Sequence, residues 1–566
     1  MQHPDTQWRL RREVEPADVE ALAGEVGVSR LTAWALTARG VDDADAARRF
    51  LAPSLQRDWP DPATIPGLDE AADRVTKAVR QGERVIVFGD FDLDGVSASA
   101  LLTIALREFG GKAGAIVPHR VKEGYGLTEA ALARVLEKRP DLVVTVDCGI
   151  SADAEVRMLR EAGVDVVVTD HHEPGDAVPK GIPVADPKLA ASAPELSGAG
   201  VALALVKAVG ERLGDDGQAW LRVADLAAVG TVADVVPLTG PNRALVAHGV
   251  HAMRAKARPG IRALAEVAGI ELPLLTSENI AFLLAPRLNA AGRMDDPVLA
   301  LRLLMTADEG EAADLAHTLD AHNRERQSVE LAVFEDALAQ IEGAGGPKPP
   351  AIVVAGEGWH HGVRGIVASR LVNRFGLPAL VLSVEDGRAV GSGRSVPGLD
   401  LHGALARIHD VFLRFGGHEA AVGFALPVER LDEFRHRVTD ALAEEVERLG
   451  PQVTLVDGVA RLDEVHAAAV EMDLLEPFGF GNHRPLFVFE GVRIERCRAV
   501  GTAGQHATME VHDGMTRTEA VMFKCPDISW LEGDGRPRDL IAVVDRSLWR
   551  GRERVRLIVQ DAIVPA

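Results

Sequence analysis

Cysteine is scarce in this chain, since its 566 residues include only Cys148, Cys497 and Cys525. These cysteines lie far apart and form no Cys-x-x-Cys pair, which argues against a disulfide framework and a zinc ribbon. Long apolar runs are also missing. No stretch reaches the roughly 18 apolar residues of a membrane span, and the start, MQHPDTQWRLRREVEP, lacks the apolar core of a signal peptide. These absences predict a cytoplasmic protein without a membrane partner.

Positive charge is in deficit, with 62 lysine and arginine residues against 84 aspartate and glutamate residues and a net charge of −22. A strongly acidic protein repels a polyanion on average, which counts against nucleic-acid binding. Metal ions would neutralise ligand carboxylates, however, and local basic patches could supply a binding face. The length predicts several domains, roughly three to four.

Short apolar strands alternate with amphipathic helices after about residue 70. Strand patterns occupy 84–90, 142–148 and 164–170, and helical patterns lie between them. Continuous Val/Ile strands separated by helices predict a parallel sheet covered on both faces, with sites beyond the carboxyl ends of its strands. The predicted fold class is therefore α/β.

Changes in pattern divide the chain into five predicted regions. They are a helical lead-in (1–70), a first α/β domain (71–255), a helical region with a long connecting helix (256–345), a second α/β unit (346–448) and a β-barrel (449–566). The barrel prediction rests on short alternating strands separated by turn residues.

Acidic and imidazole side chains follow each of the three predicted strands. They are Asp90, Asp92 and Asp94 after the first, Asp147 after the second, and Asp170, His171 and His172 after the third. Asp234 is a further candidate, because the helix before it could return it to the same edge. Each residue alone has an ordinary alternative: aspartates often cap helices or occupy turns, and histidines often pack or face solvent.

Together these carboxylates would repel one another at one sheet edge without a counter-charge. Oxygen ligands with one or two imidazoles and no thiolate suit Mn²⁺ or Mg²⁺. Two such ions, roughly 3.5–4 Å apart, can assist in-line displacement at phosphorus. The pattern therefore predicts a two-metal phosphoesterase site.

The motifs resemble the RecJ family of single-strand-specific 5′→3′ exonucleases, within the DHH phosphoesterase superfamily named for the Asp170-His171-His172 triplet. The resemblance covers nearly the whole chain from about residue 75. The matching motifs are FGDFDLDG (88–95), VDCG (146–149), GTVADVVPL (230–238), PRLNAAGRM (286–294), WHHGVRGIVASRL (359–371), GSGRS (391–395), FGGHEAAVGF (415–424) and EPFGFGN (476–482).

The resemblance implies two Mn²⁺ (or Mg²⁺) ions as cofactors. The implied ligands are Asp92, Asp94, Asp147, His171 and Asp234, with Asp147 as the bridge and Asp90 as a further ligand or an outer partner. The implied catalytic set is Asp147, Asp170, His171 and His172, and His172 would contact the scissile phosphate. Related enzymes can carry a histidine four positions before Asp92, where this chain has Phe88. Weaker metal binding there, or replacement of that ligand by Asp90 or water, is expected.

The second α/β unit resembles the DHH-associated domain. By that resemblance Ser392 and Arg394 would bind the 5′-terminal phosphate, a task that suits a hydroxyl and a guanidinium. Gly416, Gly417 and His418 would lie near the substrate phosphate. His360 and His361 precede a predicted helix, where amides favour anions. For Ser392 and Arg394 the alternative is a strand with an exposed arginine. For His360 and His361 the alternative is helix capping.

Three groups of residues are candidates for holding DNA. A loop with Arg120, Lys122 and Tyr125 could stack a base, although a core tyrosine is the alternative. A groove along the DNA backbone could be lined by Arg287, Asn289, Arg293, Arg324 and Arg326. The alternative is that these are helix residues exposed to solvent. The barrel is locally basic and aromatic, as in the OB-fold that the resemblance implies, through Arg536, Arg538, Arg546, Arg550, Arg552, Arg554, Arg556, Trp530 and Trp549.

The resulting hypothesis is an exonuclease that releases 5′-mononucleotides from single-stranded DNA in repair and recombination. Single-strand-binding protein and a recombination helicase are the partners that the resemblance implies. One rival hypothesis is a DHH phosphodiesterase of dinucleotides or short oligonucleotides. Comparing turnover on a long single strand with turnover on a dinucleotide would distinguish it from the exonuclease. Another is a catalytically silent DNA-binding scaffold, which a nuclease assay with and without chelator would distinguish.

Overall fold

The computed structural model describes residues 7–563 apart from 120–122, 125, 176, 295, 344–348, 451–452, 502–503, 526–527, 529–530, 532–535 and 550–551, and it describes only the backbone at 548, 549 and 552. Within these ranges, none of the helices combines the length and apolar character that crossing a bilayer demands.

The N-terminal part begins with a short strand that the sequence patterns did not predict. Its elements are β1 (Gln7–Leu10), α1 (Pro16–Val26), α2 (Arg30–Thr37), α3 (Ala44–Leu51) and α4 (Leu55–Asp58). Ser29 caps α2, because its side chain accepts a hydrogen bond from the amide of Thr32.

The first α/β domain contains a five-stranded, fully parallel sheet in the order β3-β2-β4-β5-β6. Its elements are α5 (Leu68–Gln81), β2 (Arg84–Gly89), α6 (Leu93–Glu108), β3 (Lys112–Ile116), α7 (Glu129–Glu137), β4 (Leu142–Val146), α8 (Asp153–Glu161), β5 (Asp165–Thr169), β6 (Val184–Ala185), α9 (Gly198–Leu213), α10 (Ala219–Arg222) and α11 (Ala224–Ala233). The three predicted strands are confirmed.

Helices cover both faces of this sheet. Val85 and Val87 of β2 belong to a core that also contains α5, α6 and α9, whereas Ile86 and Phe88 pack on the other face with α7 and α8. Alternate residues of a strand point to opposite faces, which explains why the whole strand is apolar.

Helices dominate the next region. They are α12 (Gly240–Lys256), α13 (Pro259–Val267), α14 (Ser277–Asn279), a π-helical turn (Ile280–Leu284), α15 (Ala285–Met294), α16 (Val298–Met305) and α17 (Glu309–Gly343). The predicted connecting helix is α17, with 35 residues.

The second α/β domain has a five-stranded sheet in the order β10-β11-β9-β8-β7. Its elements are β7 (Ile352–Glu357), α18 (Arg364–Phe375), β8 (Ala379–Glu385), β9 (Arg388–Arg394), α19 (Leu401–Ala406), β10 (Arg414–His418), β11 (Ala421–Pro427) and α20 (Leu431–Arg448). Among the described strands of this sheet, only the β7–β8 pair is parallel, and β10 lies at one edge.

The elements of the C-terminal domain are β12 (Val453–Val456), β13 (Gly458–Ala460), α21 (Val465–Glu471), β14 (Phe487–Val500), β15 (His506–His512), β16 (Arg517–Met522), β17 (Arg538–Trp549) and β18 (Arg552–Ile563). The domain is a closed barrel, because the strands pair in the order β14-β15-β16-β18-β17 and β17 pairs back with β14. The predicted small β-barrel is confirmed.

The N-terminal helices share a core with this barrel. Leu31, Trp34 and Leu36 belong to the same buried cluster as Phe487 and Leu540. In addition, β1 pairs in parallel with β12, so the N-terminal strand is joined to the start of the last domain in a two-stranded sheet. The predicted region 1–70 therefore packs largely on the last domain.

Candidate metal and substrate site

The carboxyl ends of β2, β4 and β5 deliver acidic and imidazole side chains to one edge of the parallel sheet. Three groups there have ligand atoms within 4.8 Å of one another. The groups are Asp90, Asp92 and Asp147; Asp94, His171 and Asp234; and Asp147, His171 and His172. All six residues predicted as metal ligands are thus brought together.

The residue after β2 is Asp90, and Asp92 caps the following helix α6. The Asp92 Oδ1 accepts hydrogen bonds from the amides of Asp94 at 3.0 Å and Gly95 at 3.2 Å. The ordinary alternative for Asp92, helix capping, is therefore realised, while the same side chain also belongs to a potential ligand group.

The first turn of α9 holds Asp94. The amide of Gly198 donates to Asp94 Oδ2 at 2.6 Å, and the amide of Ala199 donates to Oδ1 at 3.0 Å. Amides at a helix N-terminus favour a negative group, so this helix fixes and stabilises the carboxylate. Sequence reasoning missed Gly198; the Ser-Gly-Ala-Gly opening of an apolar helix was the available signal.

The backbone of Asp147 adopts a left-handed conformation with φ of +59° directly after β4. Few non-glycine residues adopt this conformation, although aspartate and asparagine tolerate it best. A Cβ on Gly198 would lie 2.5 Å from the Asp147 Cβ, and a Cβ on Gly230 would lie 2.6 Å from Asp94 Oδ1. Two glycines therefore leave room for the carboxylates, and neither was singled out from the sequence.

A hydrogen-bond network ties Asp170 to its neighbours. Its Oδ1 accepts from the His171 amide at 2.8 Å and lies 2.7 Å from Nδ1 of His172, while its Oδ2 accepts from the amide of Ile150 at 2.9 Å. This carboxylate orients the His172 ring and joins the loops after β4 and β5. It belongs to none of the ligand groups found among the described residues.

Beside it, His171 points into the cluster. Its Nε2 lies 3.0 Å from Asp147 Oδ1 and 3.9 Å from Asp94 Oδ2, and its Nδ1 lies 3.7 Å from Asp234 Oδ2. The helix α11 ends at Ala233 and brings Asp234 to this position, as predicted.

The electrostatics of the cluster favour a cation. Burial, followed by the charge of neighbouring aspartates, raises the pKa of Asp90 and of Asp94 to about 7 and that of Asp234 to about 9. The same causes raise the pKa of Asp147 well above its usual range. Burial and the nearby His172 lower the pKa of His171 to about 4, which keeps this imidazole neutral and able to act as a ligand.

The cluster also contains unsatisfied buried atoms. Asp90 Oδ1 and His171 Nε2 are buried without a hydrogen-bond partner. Buried polar atoms normally have partners, and a divalent ion would supply one for a carboxylate oxygen and for an imidazole nitrogen. The donor set of oxygens and imidazole, without thiolate, therefore fits Mn²⁺ or Mg²⁺.

The side chain of Phe88 does not reach the cluster. It is fully buried in the core between the sheet, α7 and α8. The first ligand group instead consists of three carboxylates, Asp90, Asp92 and Asp147.

Three family models match successive parts of the chain. They are the DHH family N-terminal domain at residues 84–231, the DHHA1 domain at 348–444 and the RecJ OB domain at 456–561. The single-stranded-DNA-specific exonuclease RecJ of Bacillus subtilis (strain 168) is 35% identical over 568 residues, which is 98% of this chain and 71% of that protein.

Crystal structures of RecJ from Thermus thermophilus share the fold. The complex with Mn²⁺ has a TM-score of 0.84 at 33% identity and covers 100% of this chain and 80% of that chain. The complex with Mg²⁺ has a TM-score of 0.79 at 31% identity and covers 99% of this chain and 79% of that chain.

The chain belongs to the RecJ family. The predicted fold class, with a parallel-sheet DHH domain, a DHHA1 domain and an OB-fold barrel, is confirmed. Mn²⁺ and Mg²⁺ are the ions bound in the RecJ crystal structures, in agreement with the metals predicted from the ligand types.

In the DHHA1 domain of this RecJ-family chain, Ser392 and Arg394 lie on β9. The Arg394 Nη1 donates to Ser392 Oγ at 3.1 Å and to the Gly393 carbonyl at 2.9 Å. A Cβ on Gly365 would lie 2.8 Å from Arg394 Nη2, so the first turn of α18 approaches this guanidinium closely. Sequence reasoning missed Gly365.

The edge strand β10 carries Gly416, Gly417 and His418, all exposed. Gly417 has φ of +142°, and a Cβ there would lie 2.3 Å from the Ala421 carbonyl oxygen. Near α18, the rings of His360 and His361 stack with centroids 4.3 Å apart, and His360 Nδ1 accepts from the Gly362 amide. The substrate roles of these residues stay predictions.

The groove residues predicted in the helical region are partly engaged with the protein. The Asn289 Oδ1 accepts from the amide of Leu93 at 3.1 Å, and Arg293 Nη1 donates to the Gly362 carbonyl at 3.2 Å. Arg287 and Arg324 both pair with Asp320. Thus Asn289 holds the start of α6, and Arg293 links the helical region to the DHHA1 domain.

The connecting-helix residue Arg326 is 9% exposed, and its Nη1 donates to Glu330 at 2.9 Å. Arg326 is therefore not a solvated charge, because it is nearly buried and paired with Glu330. Its contact with DNA stays a prediction.

Ion pairs also involve the predicted basic residues of the barrel. Arg546 contacts Asp473 and Glu553, Arg554 contacts Glu519, and Arg556 contacts Asp545. Arg538 is buried, whereas Arg536 is exposed. The remaining DNA-binding candidates lie outside the described residues or side chains: Arg120, Lys122, Tyr125, Trp530, Trp549, Arg550 and Arg552.

Proposed function

We propose that this RecJ-family chain is a metal-dependent exonuclease that digests single-stranded DNA from its 5′ end. It releases 5′-mononucleotides and acts in DNA repair and recombination. The observation that carries the proposal is the convergence of six candidate ligand residues, from β2, α6, β4, β5 and α11 or the positions directly after them, in groups that fit two divalent ions. Named RecJ relatives that are single-strand-specific exonucleases support the same conclusion.

Two Mn²⁺ or Mg²⁺ ions are the proposed cofactors. Asp90, Asp92 and Asp147 would hold one ion, and Asp94, His171 and Asp234 would hold the other. Asp147 also lies close to His171, a residue of the second group, which supports the proposal that Asp147 bridges the two ions. When bound, such ions act as Lewis acids and lower the pKa of a coordinated water.

The chain itself contributes charge and orientation. Although burial opposes it, the hydrogen bond and charge of Asp170 raise the pKa of His172 to about 9, which favours the protonated imidazole. A positive imidazole beside the cluster can contact and neutralise a phosphate oxygen. Asp170 keeps this ring in place and is proposed as a positioning residue.

The DHHA1 domain would determine the polarity of digestion. Ser392 and Arg394 would hold the 5′-terminal phosphate, with Gly416, Gly417, His418 and His361 close to the substrate backbone. Hydrogen bonds to Ser392 and to the Gly393 carbonyl already hold the Arg394 guanidinium. Its side chain therefore loses little conformational freedom when a phosphate binds. The proposed role requires that a phosphate seated there leave the first internucleotide bond next to the metal groups.

An end-label experiment tests this function. A single strand labelled at its 5′ end and incubated with Mn²⁺ should yield labelled mononucleotide as the first product, whereas a 3′-labelled strand should shorten gradually. Preferred hydrolysis of a dinucleotide over a long strand would favour the small-substrate phosphodiesterase. Equal stability of the strand with Mn²⁺ and with chelator would favour a silent scaffold.

The cellular setting is also proposed. All three cysteines, Cys148, Cys497 and Cys525, are buried, and so low a cysteine content suits the reducing cytoplasm. Single-strand-binding protein and a recombination helicase are the proposed partners. Stimulation of digestion by single-strand-binding protein on long strands, compared with an unrelated acidic protein, would test the first partnership.

A further inference from the structure

A cavity of about 950 Å³ lies where the DHH domain, the helical region and the barrel meet. Its lining includes the end of α11, the π-helical turn with α15, and the loop that precedes β14. Ala233 and Val235, the two neighbours of Asp234, both line it. The cavity therefore begins beside the proposed metal site and extends toward the OB-fold.

Three large apolar side chains in this cavity are exposed to solvent. The exposed fractions are 60% for Val235, 73% for Phe282 and 51% for Phe480. Exposed apolar side chains that cluster within a concave, partly polar lining indicate a surface that binds a ligand. These residues were not among the candidates for DNA binding.

Backbone contacts connect the cavity to the reactive groups. The amide of Leu238, shortly after Asp234, donates to the Phe480 carbonyl at 2.8 Å. Val235 itself has φ of +62°, an unfavourable conformation for a β-branched residue, and such strain occurs where surrounding structure holds a functional segment. The Phe480 loop and the segment after Asp234 therefore form one continuous wall.

Two cations in this lining, Arg484 and Arg326, are engaged with carboxylates. Arg484 contacts both oxygens of Glu278, at 3.0 and 2.9 Å from its Nε, and Arg326 pairs with Glu330. Paired guanidinium groups attract a phosphate less than unpaired ones do. What the cavity offers is aromatic and aliphatic surface, which suits the faces of unpaired bases.

We propose that this cavity receives the bases on the 3′ side of the cleaved bond, which stack on Phe282 and Phe480 while Val235 supports the base nearest the metal site. The inference rests on the proposed exonuclease function and adds the contact that follows the first nucleotide. Bases paired within a duplex cannot present their faces to this surface. The cavity therefore selects single strands through their bases.

The variants Phe282→Ala and Phe480→Ala, with their double variant, test the proposal. Base–aromatic stacking predicts a KM increase of roughly 5- to 100-fold for a single strand of about twenty nucleotides. Leu274→Ala is the matched control, because Leu274 is 53% exposed in the same helical region and does not line the cavity. Thermal melting of each variant checks that the fold is retained.

Abasic substrates supply the decisive comparison. Removal of the bases just 3′ of the first bond should raise KM for the wild-type chain and leave KM of the double variant almost unchanged. An equal abasic effect in both proteins, or unchanged KM in the double variant, would overturn the proposal.

A binding measurement separates this proposal from the proposed function. Fluorescence anisotropy of intact and abasic strands, with Ca²⁺ in place of Mn²⁺, measures base contacts without hydrolysis. Weaker binding of the abasic strand by the wild type alone supports the cavity even if no hydrolysis occurs. Equal binding of both strands refutes it even if the enzyme is active.

Discussion

The Nε2 atom of His171 lies 3.0 Å from Oδ1 of Asp147, yet it is buried without a hydrogen-bond partner. The two residues follow neighbouring parallel strands, β5 and β4, and meet because both strands end at the same edge. A close but unbonded imidazole–carboxylate contact, surrounded by further carboxylates, is the arrangement expected of two ligands that share a cation.

The substitution Asp147→Asn should reduce hydrolysis at least about 100-fold while the fold is retained, because it removes a ligand charge from the reacting centre. Asparagine tolerates the left-handed backbone of this position, with φ of +59°. Single-turnover digestion with Mn²⁺ measures the loss. Asp45→Asn, at an exposed site on α3, should digest at the wild-type rate. Substantial activity of Asp147→Asn would contradict the assigned bridge.

The stabilisation that Mn²⁺ gives should increase with pH. In the metal-free protein the raised pKa values of Asp94, about 7, and Asp234, about 9, mean that the folded state binds more protons than the unfolded state. Stability of the metal-free protein therefore falls as pH rises from about 4 toward 9. Bound metal removes this repulsion and needs deprotonated ligands.

Thermal melting with Mn²⁺ and with chelator, at pH 6 and pH 8, measures this linkage. The difference in Tm between the two conditions should be larger at pH 8. A difference that is the same at both pH values would mean that these carboxylates do not bind the metal.

The glycines beside the cluster should resist substitution. Gly198→Ala places a methyl group 2.5 Å from the Asp147 Cβ and should cost about 1–3 kcal/mol while weakening Mn²⁺ binding. Gly24→Ala, in α1 with no atom within 4 Å of the new Cβ, is the control and should stabilise the protein slightly. Urea unfolding and Mn²⁺ titration measure the two effects. Wild-type metal affinity in Gly198→Ala would show that the contact does not shape the site.

Arg394→Gln should reduce the preference for 5′-phosphorylated ends. The guanidinium lies beside Ser392 and the first turn of α18, a suitable place for a phosphate. The ratio of kcat/KM for phosphorylated and hydroxyl 5′ ends should fall toward one. Arg388→Gln, at the exposed far end of the same strand, should keep the wild-type ratio. If both variants keep it, the terminal phosphate binds elsewhere.

Arg243 should be important for stability, since it joins three parts of the chain. Arg243 is 2% exposed, and its guanidinium donates to the carbonyls of Phe50, Leu474 and Leu475. Arg243→Met would leave these carbonyls unsatisfied, at a cost of about 3 kcal/mol or more. Urea unfolding measures it, with the surface-paired Arg222→Met as a control that loses less than about 1 kcal/mol. Similar losses in both variants would contradict this role.

The central strands and their acidic ends could be predicted because each strand is a continuous apolar run followed at once by aspartate. Strand β3, with Ala-Gly-Ala at its centre, has little β propensity and was not predicted. Strand β6 has two residues, too few for any periodicity. Both depend on pairing with neighbours that are distant in sequence.

The ligand residues were predictable as types, but the groups that support them were not. Gly198, Gly230 and Gly365 are important because a side chain at each position would clash with atoms of the neighbouring residues. Sequence patterns do not report on such contacts. The docking of Trp34 on the barrel core joins segments over 400 residues apart, as in the Ser29–Glu471 hydrogen bond across 442 residues. The three exposed apolar residues of the cavity carried no periodic signal either.

The most direct test of the two-metal site is an anomalous difference map at the manganese absorption edge, from crystals of this chain grown with Mn²⁺. We expect two peaks, one among Asp90, Asp92 and Asp147 and one among Asp94, His171 and Asp234. A map without a peak among these residues, from active protein, would contradict it.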